Sequence, residues 1–164
     1  MPASQAPPHR GISLLFDVFV LNQHLRGFLS AAVEGTGLRP DDYAVYSLLF
    51  ESGPLAPTEM AAAMGMPLTT LLDYVRPMLA CRHARRQRHP RDGRSYLVSL
   101  TKAGLAAFHR TSRQWNQAVR CLEAELTIPH AEIRRSLHAL DDAVAAAAST
   151  LIETGTGVCT PSPR

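Results

Sequence analysis

The sequence predicts a mainly α-helical chain with one small β-hairpin, and three observations predict it. Six stretches of helical periodicity fill most of the 164 residues, each bounded by proline, glycine or capping signals. One stretch, Arg82–Thr101 ("RHARRQRHPRDGRSYLVSLT"), breaks the pattern with a Pro-Arg-Asp-Gly turn followed by an alternating apolar strand. The positive charge is concentrated in that same stretch. Arg82 to Arg94 holds six arginines against Asp92, a balance of +5, so a chain of net charge +3 carries −2 over its other 151 residues.

The elements follow in order. Residues 1–10 (MPASQAPPHR) and 154–164 read as loose tails. Ile12–Val33 is a helix apolar almost all round, carrying Leu14, Leu15, Phe16, Val18, Phe19, Leu21, Leu25, Phe28 and Leu29. Such a helix needs burial on every side, and in a small chain some of that surface meets another protomer. Asp41–Glu51 follows Arg39-Pro40 and stops before Ser52-Gly53-Pro54. Thr58–Met64 is short, with Thr58 as N-cap and Gly65 as terminator. A fourth helix starts at Pro67 and runs towards Cys81. Ala84–His89 and Ser95–Leu100 are the hairpin strands, with Gly93 at the φ > 0 position. Lys102–Leu126 and Thr127–Glu153 close the chain as two long helices.

Composition narrows the classes. A hydrophobic content of 46% with 19% charged residues belongs to a globular domain rather than a disordered chain. Cys81, Cys121 and Cys159 are odd in number and lack metal spacing, which points to free thiols in a reducing compartment. The apolar run after Arg10 is interrupted by Asp17 and followed by Asn22-Gln23-His24 and Arg26, unlike an export signal or a membrane span. A cytoplasmic protein with no membrane partner is expected. The chain has no glycine-rich phosphate loop, HExxH or G-x-S-x-G, and no (i, i+4) histidine pair. Neither enzyme activity nor a metal or other cofactor is therefore expected.

Two helices joined by a tight turn, 58–64 and 67–81, followed at once by a basic hairpin, form a winged helix-turn-helix pattern. A helix fits the DNA major groove, where base edges carry a distinguishable donor and acceptor code. A two-stranded wing can lay its arginines along phosphates with its tip at the minor groove.

On these residues the chain also resembles the MarR-type transcription factors, over roughly residues 12 to 150 and most strongly from Leu38 to Gly104. The matching stretches are "LRPDDYAVYSLL", "PTEMAAAMGMPLTTLLDYV" and the wing "DGR" followed by "SYLVSLTKAG". The resemblance implies one domain over 11–153, with a winged helix-turn-helix lobe at 38–104 and long dimerisation helices at 11–34 and 102–153. It further implies a homodimer that binds double-stranded DNA at a pseudo-palindromic operator, usually as a repressor released by a small molecule. Carried over by position, Arg94 matches the wing-tip arginine of the minor groove and Asp92 its acidic companion. Arg85, Arg86, Arg88 and Arg91 follow the backbone, while Pro67, Thr69, Thr70, Asp73 and Arg76 form the recognition helix surface.

The spacing of Asp73 and Arg76 fits either an ion pair on a solvated face or a base contact. Three features depart from the family pattern: Pro77 within the recognition helix, Arg82 where glycine commonly ends it, and Leu72 where a polar side chain is usual. They keep open a winged-helix ligand-binding or interaction protein with weakened sequence reading, or a non-specific DNA binder. For a small aromatic ligand the resemblance points to Phe16, Phe19, His24, Phe28, Tyr46, Phe50 and His109, all equally compatible with ordinary core packing. Cys81, among arginines at the end of the recognition helix, is the candidate for oxidant sensing.

Overall fold

The computed structural model describes residues 12–90, 92 and 95–153. The tails and the wing-tip residues Arg91, Gly93 and Arg94 lie outside them, as does the φ > 0 conformation expected of Gly93. The described elements run α1 (Leu14–Ala32), α2 (Pro40–Ser52), α3 (Pro57–Ala63), α4 (Leu68–Ala80), β1 (Ala84–Arg88), β2 (Tyr96–Leu100), α5 (Lys102–Ala124) and α6 (His130–Glu153). This is the mainly helical chain with a two-stranded wing that the sequence predicts. It divides into two compact units, one ending at Ala118 and the other beginning at Val119.

The core of the first unit is built from one stripe of each helix. α2 buries Tyr43, Val45, Tyr46 and Leu49, α3 buries Met60 and Ala61, and α4 buries Leu71, Val75 and Met78. α5 adds Gly104, Ala107, Phe108 and Thr111, the repeat of an amphipathic helix. Tyr43 and Phe50 stack on the Phe108 ring, with centroids 5.5 and 4.3 Å away, and Tyr43 also meets Trp115 at 4.7 Å. α1 behaves differently. Ala32 is its single buried residue, while Leu15 and Phe19 remain 71% and 59% exposed. The all-round apolar helix read from the sequence is therefore left largely uncovered by its own chain.

β1 and β2 pair antiparallel, with Ala84 opposite Leu100, Arg86 opposite Val98 and Arg88 opposite Tyr96. Leu55, between α2 and α3, adds a third rung by exchanging both backbone hydrogen bonds with Val98, at 3.1 and 2.8 Å. That rung ties the wing to the helical lobe. In the second unit, α6 begins at His130 rather than Thr127, because Pro129 sets the first turn and its carbonyl accepts from Glu132 and Ile133. Leu137, Val144, Leu151 and Ile152 of α6 are exposed.

Two helix ends share one design with different residues. After α3, the Gly65 N–H donates to Ala62 and the Met66 N–H to Ala61, with Gly65 at φ +61°. After α4, the Arg82 N–H donates to Leu79 and the His83 N–H to Met78, with Arg82 at φ +59°. Both are Schellman ends, which normally take glycine at the left-handed position. Arg82 accepts that conformation at a cost of about 1 kcal/mol. Immediately beyond, a methyl group built on Gly104 would run into the His83 carbonyl. Opposite outcomes are expected for the two reciprocal substitutions. Arg82→Gly raises stability by about 1 kcal/mol, whereas Gly104→Ala lowers it by about 1–3 kcal/mol. Urea denaturation of both variants checks each sign.

Candidate nucleic-acid interface

The left-handed Gly65 turns the chain sharply between α3 and α4, so the second helix starts at once. Pro67, not a hydroxyl residue, occupies the N-cap of α4. The N-cap of α3 is Ala56 rather than the expected Thr58, and Glu59 performs the capping by accepting the Ala56 N–H at 2.8 Å. With Leu71, Val75 and Met78 turned inward, α4 presents Thr69, Thr70, Asp73 and Arg76 to solvent beside Pro67 and Pro77. Leu72 is half-buried and belongs to the flank of this face. Pro77 cannot donate to the Asp73 carbonyl, yet the helix continues past it to Ala80. Asp73 and Arg76 meet in an ion pair, Oδ1 to Nη1 2.8 Å, with both side chains about two-thirds exposed (69% and 67%). Of the two readings of that spacing, the pair is the one formed in the free protein.

The wing arginines do not make a single row. Strand alternation and the observed register put Arg86 and Arg88 on one face with Val98 and Tyr96, and Arg85 on the other with Gln87 and Ser99. The Arg86 guanidinium lies over the Tyr96 ring, 4.6 Å from its centroid. Arg85 Nε donates to the buried Ser99 Oγ at 3.3 Å. With the Gln87 amide turned so that its oxygen faces the donors, it accepts from Ser99 Oγ at 2.9 Å and from Arg85 Nε and Nη2 at 3.1 and 3.0 Å. Near the tip, the Asp92 N–H donates to His89 Nδ1 at 2.9 Å, and the Asp92 carbonyl accepts from Ser95. Arg91 and Arg94 lie outside the described residues. Tyr96, Gln87 and Ser99 are absent from the sequence-based set. Counting in steps of two back from the Pro90 turn separates the arginines by face, but only the register says which residue supports each one.

Thr101 joins helix end, wing and α5. Its hydroxyl donates to the Arg82 carbonyl at 2.7 Å and accepts the Gly104 N–H at 3.2 Å, while its own N–H donates to the His83 carbonyl at 2.9 Å. It thus caps α5 and clamps the residue that ends α4.

The seven aromatic and histidine candidates are dispersed. Phe16, Phe19, His24 and Phe28 lie on α1, with Phe19 and His24 exposed. Phe50 and His109 meet edge to face at 5.4 Å beside Phe108. Tyr46 instead shares a 2.7 Å hydrogen bond with His83 Nδ1, at a cleft of about 280 Å³ that Cys81 also lines. Burial pushes the Tyr46 phenol well above its ordinary value of 10.0, with Cys81 and Asp42 adding to the shift, and burial also raises Tyr43. A phenol raised in this way contributes stability that is complete below its unfolded value and lost as pH climbs towards its folded one. The stabilities of wild type and Tyr46→Phe, followed by urea midpoint, are therefore expected to diverge in slope only above about pH 10, the wild type falling more steeply.

No family model and no curated protein matches the chain. Solved structures do. A probable transcriptional regulator from Pseudomonas aeruginosa is 26% identical, with 78% of this chain and 96% of that chain covered at a TM-score of 0.68. The M. tuberculosis transcriptional regulator MosR in complex with DNA is 20% identical, covering 82% and 98% at 0.72. A mutant MarR from E. coli complexed with operator DNA is 20% identical, covering 80% and 94% at 0.69. The chain thus has the winged-helix fold of the MarR-type regulators, as its sequence resemblance implies. Among the described residues no helix is long and apolar enough to cross a membrane, and no group of three or more side chains is placed to hold a metal ion.

Proposed function

We propose that this chain is a DNA-binding transcriptional regulator that works as a cytoplasmic homodimer, a repressor relieved by a small aromatic ligand. The observation that carries the reading is the arginine wing, fastened by Thr101 to the residue that ends α4 and by Leu55 to the helical lobe, in the same unit as the exposed face of α4. Two proteins of the same fold were crystallised with DNA, one of them with operator DNA. In this reading Pro67, Thr69, Thr70, Asp73 and Arg76 meet the major groove. Arg85, Arg86, Arg88, Arg91, Asp92 and Arg94 serve the backbone and the minor groove. For Arg76 to reach a phosphate or base, its pair with Asp73 must open or turn; exposed pairs of this spacing hold by only about 0.2–0.5 kcal/mol, so DNA can displace it.

The exposed Leu14, Leu15, Phe19 and Leu21 of α1 in the first unit, and separately Leu137, Val144, Leu151 and Ile152 of α6 in the second, are apolar surface that a second protomer can cover. Two protomers then read half-sites about 34–36 Å apart or a multiple of that spacing. A ligand that changes the separation of the two α4 helices lowers operator affinity. The dispersed aromatic set, Phe16, Phe19, Phe28 and His24 of α1 with Tyr46, Phe50 and His109, supplies the candidate ligand contacts.

Fluorescence anisotropy tests this with the duplex upstream of the protein's own gene and a shuffled duplex, each at two salt concentrations. Tight binding to the first alone is expected. Equal, weak and steeply salt-dependent binding to both means that the wing grips phosphates while α4 reads nothing. Sedimentation is expected to show a dimer and no folded monomer on dilution.

A further inference from the structure

The wing holds its arginines by two separate devices, one on each face. Arg86 and Arg85 are neighbours in sequence, so strand alternation sends their side chains in opposite directions. On one face the flat Arg86 guanidinium is laid over the Tyr96 ring. On the other, the Arg85 fork is held by Ser99 and the Gln87 amide, and Ser99 is itself buried at 7% exposure. A free arginine side chain loses rotamer freedom when it grips a phosphate. A planar fork already fixed by stacking or hydrogen bonds loses less. Each support uses only part of the guanidinium, and both arginines remain exposed.

We propose that Tyr96 and the Gln87–Ser99 pair are positioning residues of the nucleic-acid interface. They preset Arg86 and Arg85 on opposite faces of the wing, so that the ribbon meets a phosphate on either side. The proposal rests on the DNA-binding reading and adds to it a division of labour between the two faces. Tyr96 acts through its ring face, so Phe can replace it and Leu cannot. Gln87 acts through its amide oxygen, so Met, of similar length, cannot replace it.

The test measures anisotropy of the full-length protein on one duplex over a salt series, with two further readouts. For every phosphate that an arginine no longer neutralises, the slope of log affinity against log salt falls by about 0.9. Tyr96→Leu and Gln87→Met are each expected to show that drop and a roughly two- to five-fold loss of affinity at low salt, while Tyr96→Phe restores the wild-type slope. In the free protein, the Arg86 Nε–Hε resonance lies upfield over the ring and returns to its random-coil position in Tyr96→Leu. Circular dichroism of each variant confirms an intact fold. Should Tyr96→Leu disturb folding, Gln87→Met and the Tyr96→Phe resonance carry the decision. Wild-type slopes in both Tyr96→Leu and Gln87→Met, with the wild type binding DNA, overturn the positioning role alone. A wild type that binds no duplex overturns the DNA reading and this proposal with it.

Discussion

One hydroxyl holds the site together. Thr101 donates to the carbonyl of Arg82, the residue that ends α4, and accepts the N–H of Gly104 in the first turn of α5. Its own backbone N–H is bonded to His83, where the wing begins. Three elements therefore converge on four residues, and the helix that would enter a groove is fixed relative to the wing that would lie beside it. Gly104 belongs to the same junction. Without a Cβ it lets α5 approach the His83 carbonyl, and any other side chain would push the helix away. The Leu-Thr-x-x-Gly string that contributes to the sequence resemblance thus has a local physical basis: Thr caps one element and clamps another, and Gly permits their approach.

That junction also shows where sequence is legible. Gly65 announces its turn, because glycine is the ordinary residue for a left-handed helix end, and the structure places it at φ +61°. Arg82 performs the same task without the signal. The hydrogen bonds that compel its conformation, from His83 back to Met78 and from Thr101 across to the Arg82 carbonyl, include a partner 19 residues away. The cap of α3 was hidden for a related reason. Thr58 has the side chain of a cap, but Pro57 begins the helix before it, and Glu59 reaches back to serve Ala56. Pro77 carries the opposite lesson: a strong breaker sits inside α4, yet buried Val75 and Met78 on either side keep the helix in place.

Charge was the easiest feature to read and faces were the hardest. The run of arginines is plain in the sequence, and so is the hairpin that carries it. Alternation separates Arg85 from Arg86 and Arg88, but which residue supports each depends on register, which Val98 fixes by pairing with Arg86 on one side and Leu55 on the other. The basic patch is thus a ribbon with two charged faces, and its potential extends to both sides of the strand plane. The Asp73–Arg76 pair on α4 is neutral overall, so the wing rather than the helix dominates the attraction of the lobe for a polyanion.

The apolar surface completes the picture by what it leaves undone. Leu15 and Phe19 of α1 are far more exposed than any aliphatic or aromatic residue of the α2–α4 core, although they lie on a regular helix with Ser13 accepting the Phe16 N–H as its cap. A helix with so much uncovered apolar area gains little from its own chain; in the dimer proposed above, burial of each leucine or phenylalanine would contribute about 1.5–3 kcal/mol. Within the first unit, the arginine-bearing surface lies on α4 and the wing and the uncovered apolar surface on α1. That separation is what a protein needs if it is to pair with itself and still present two wings to a single duplex.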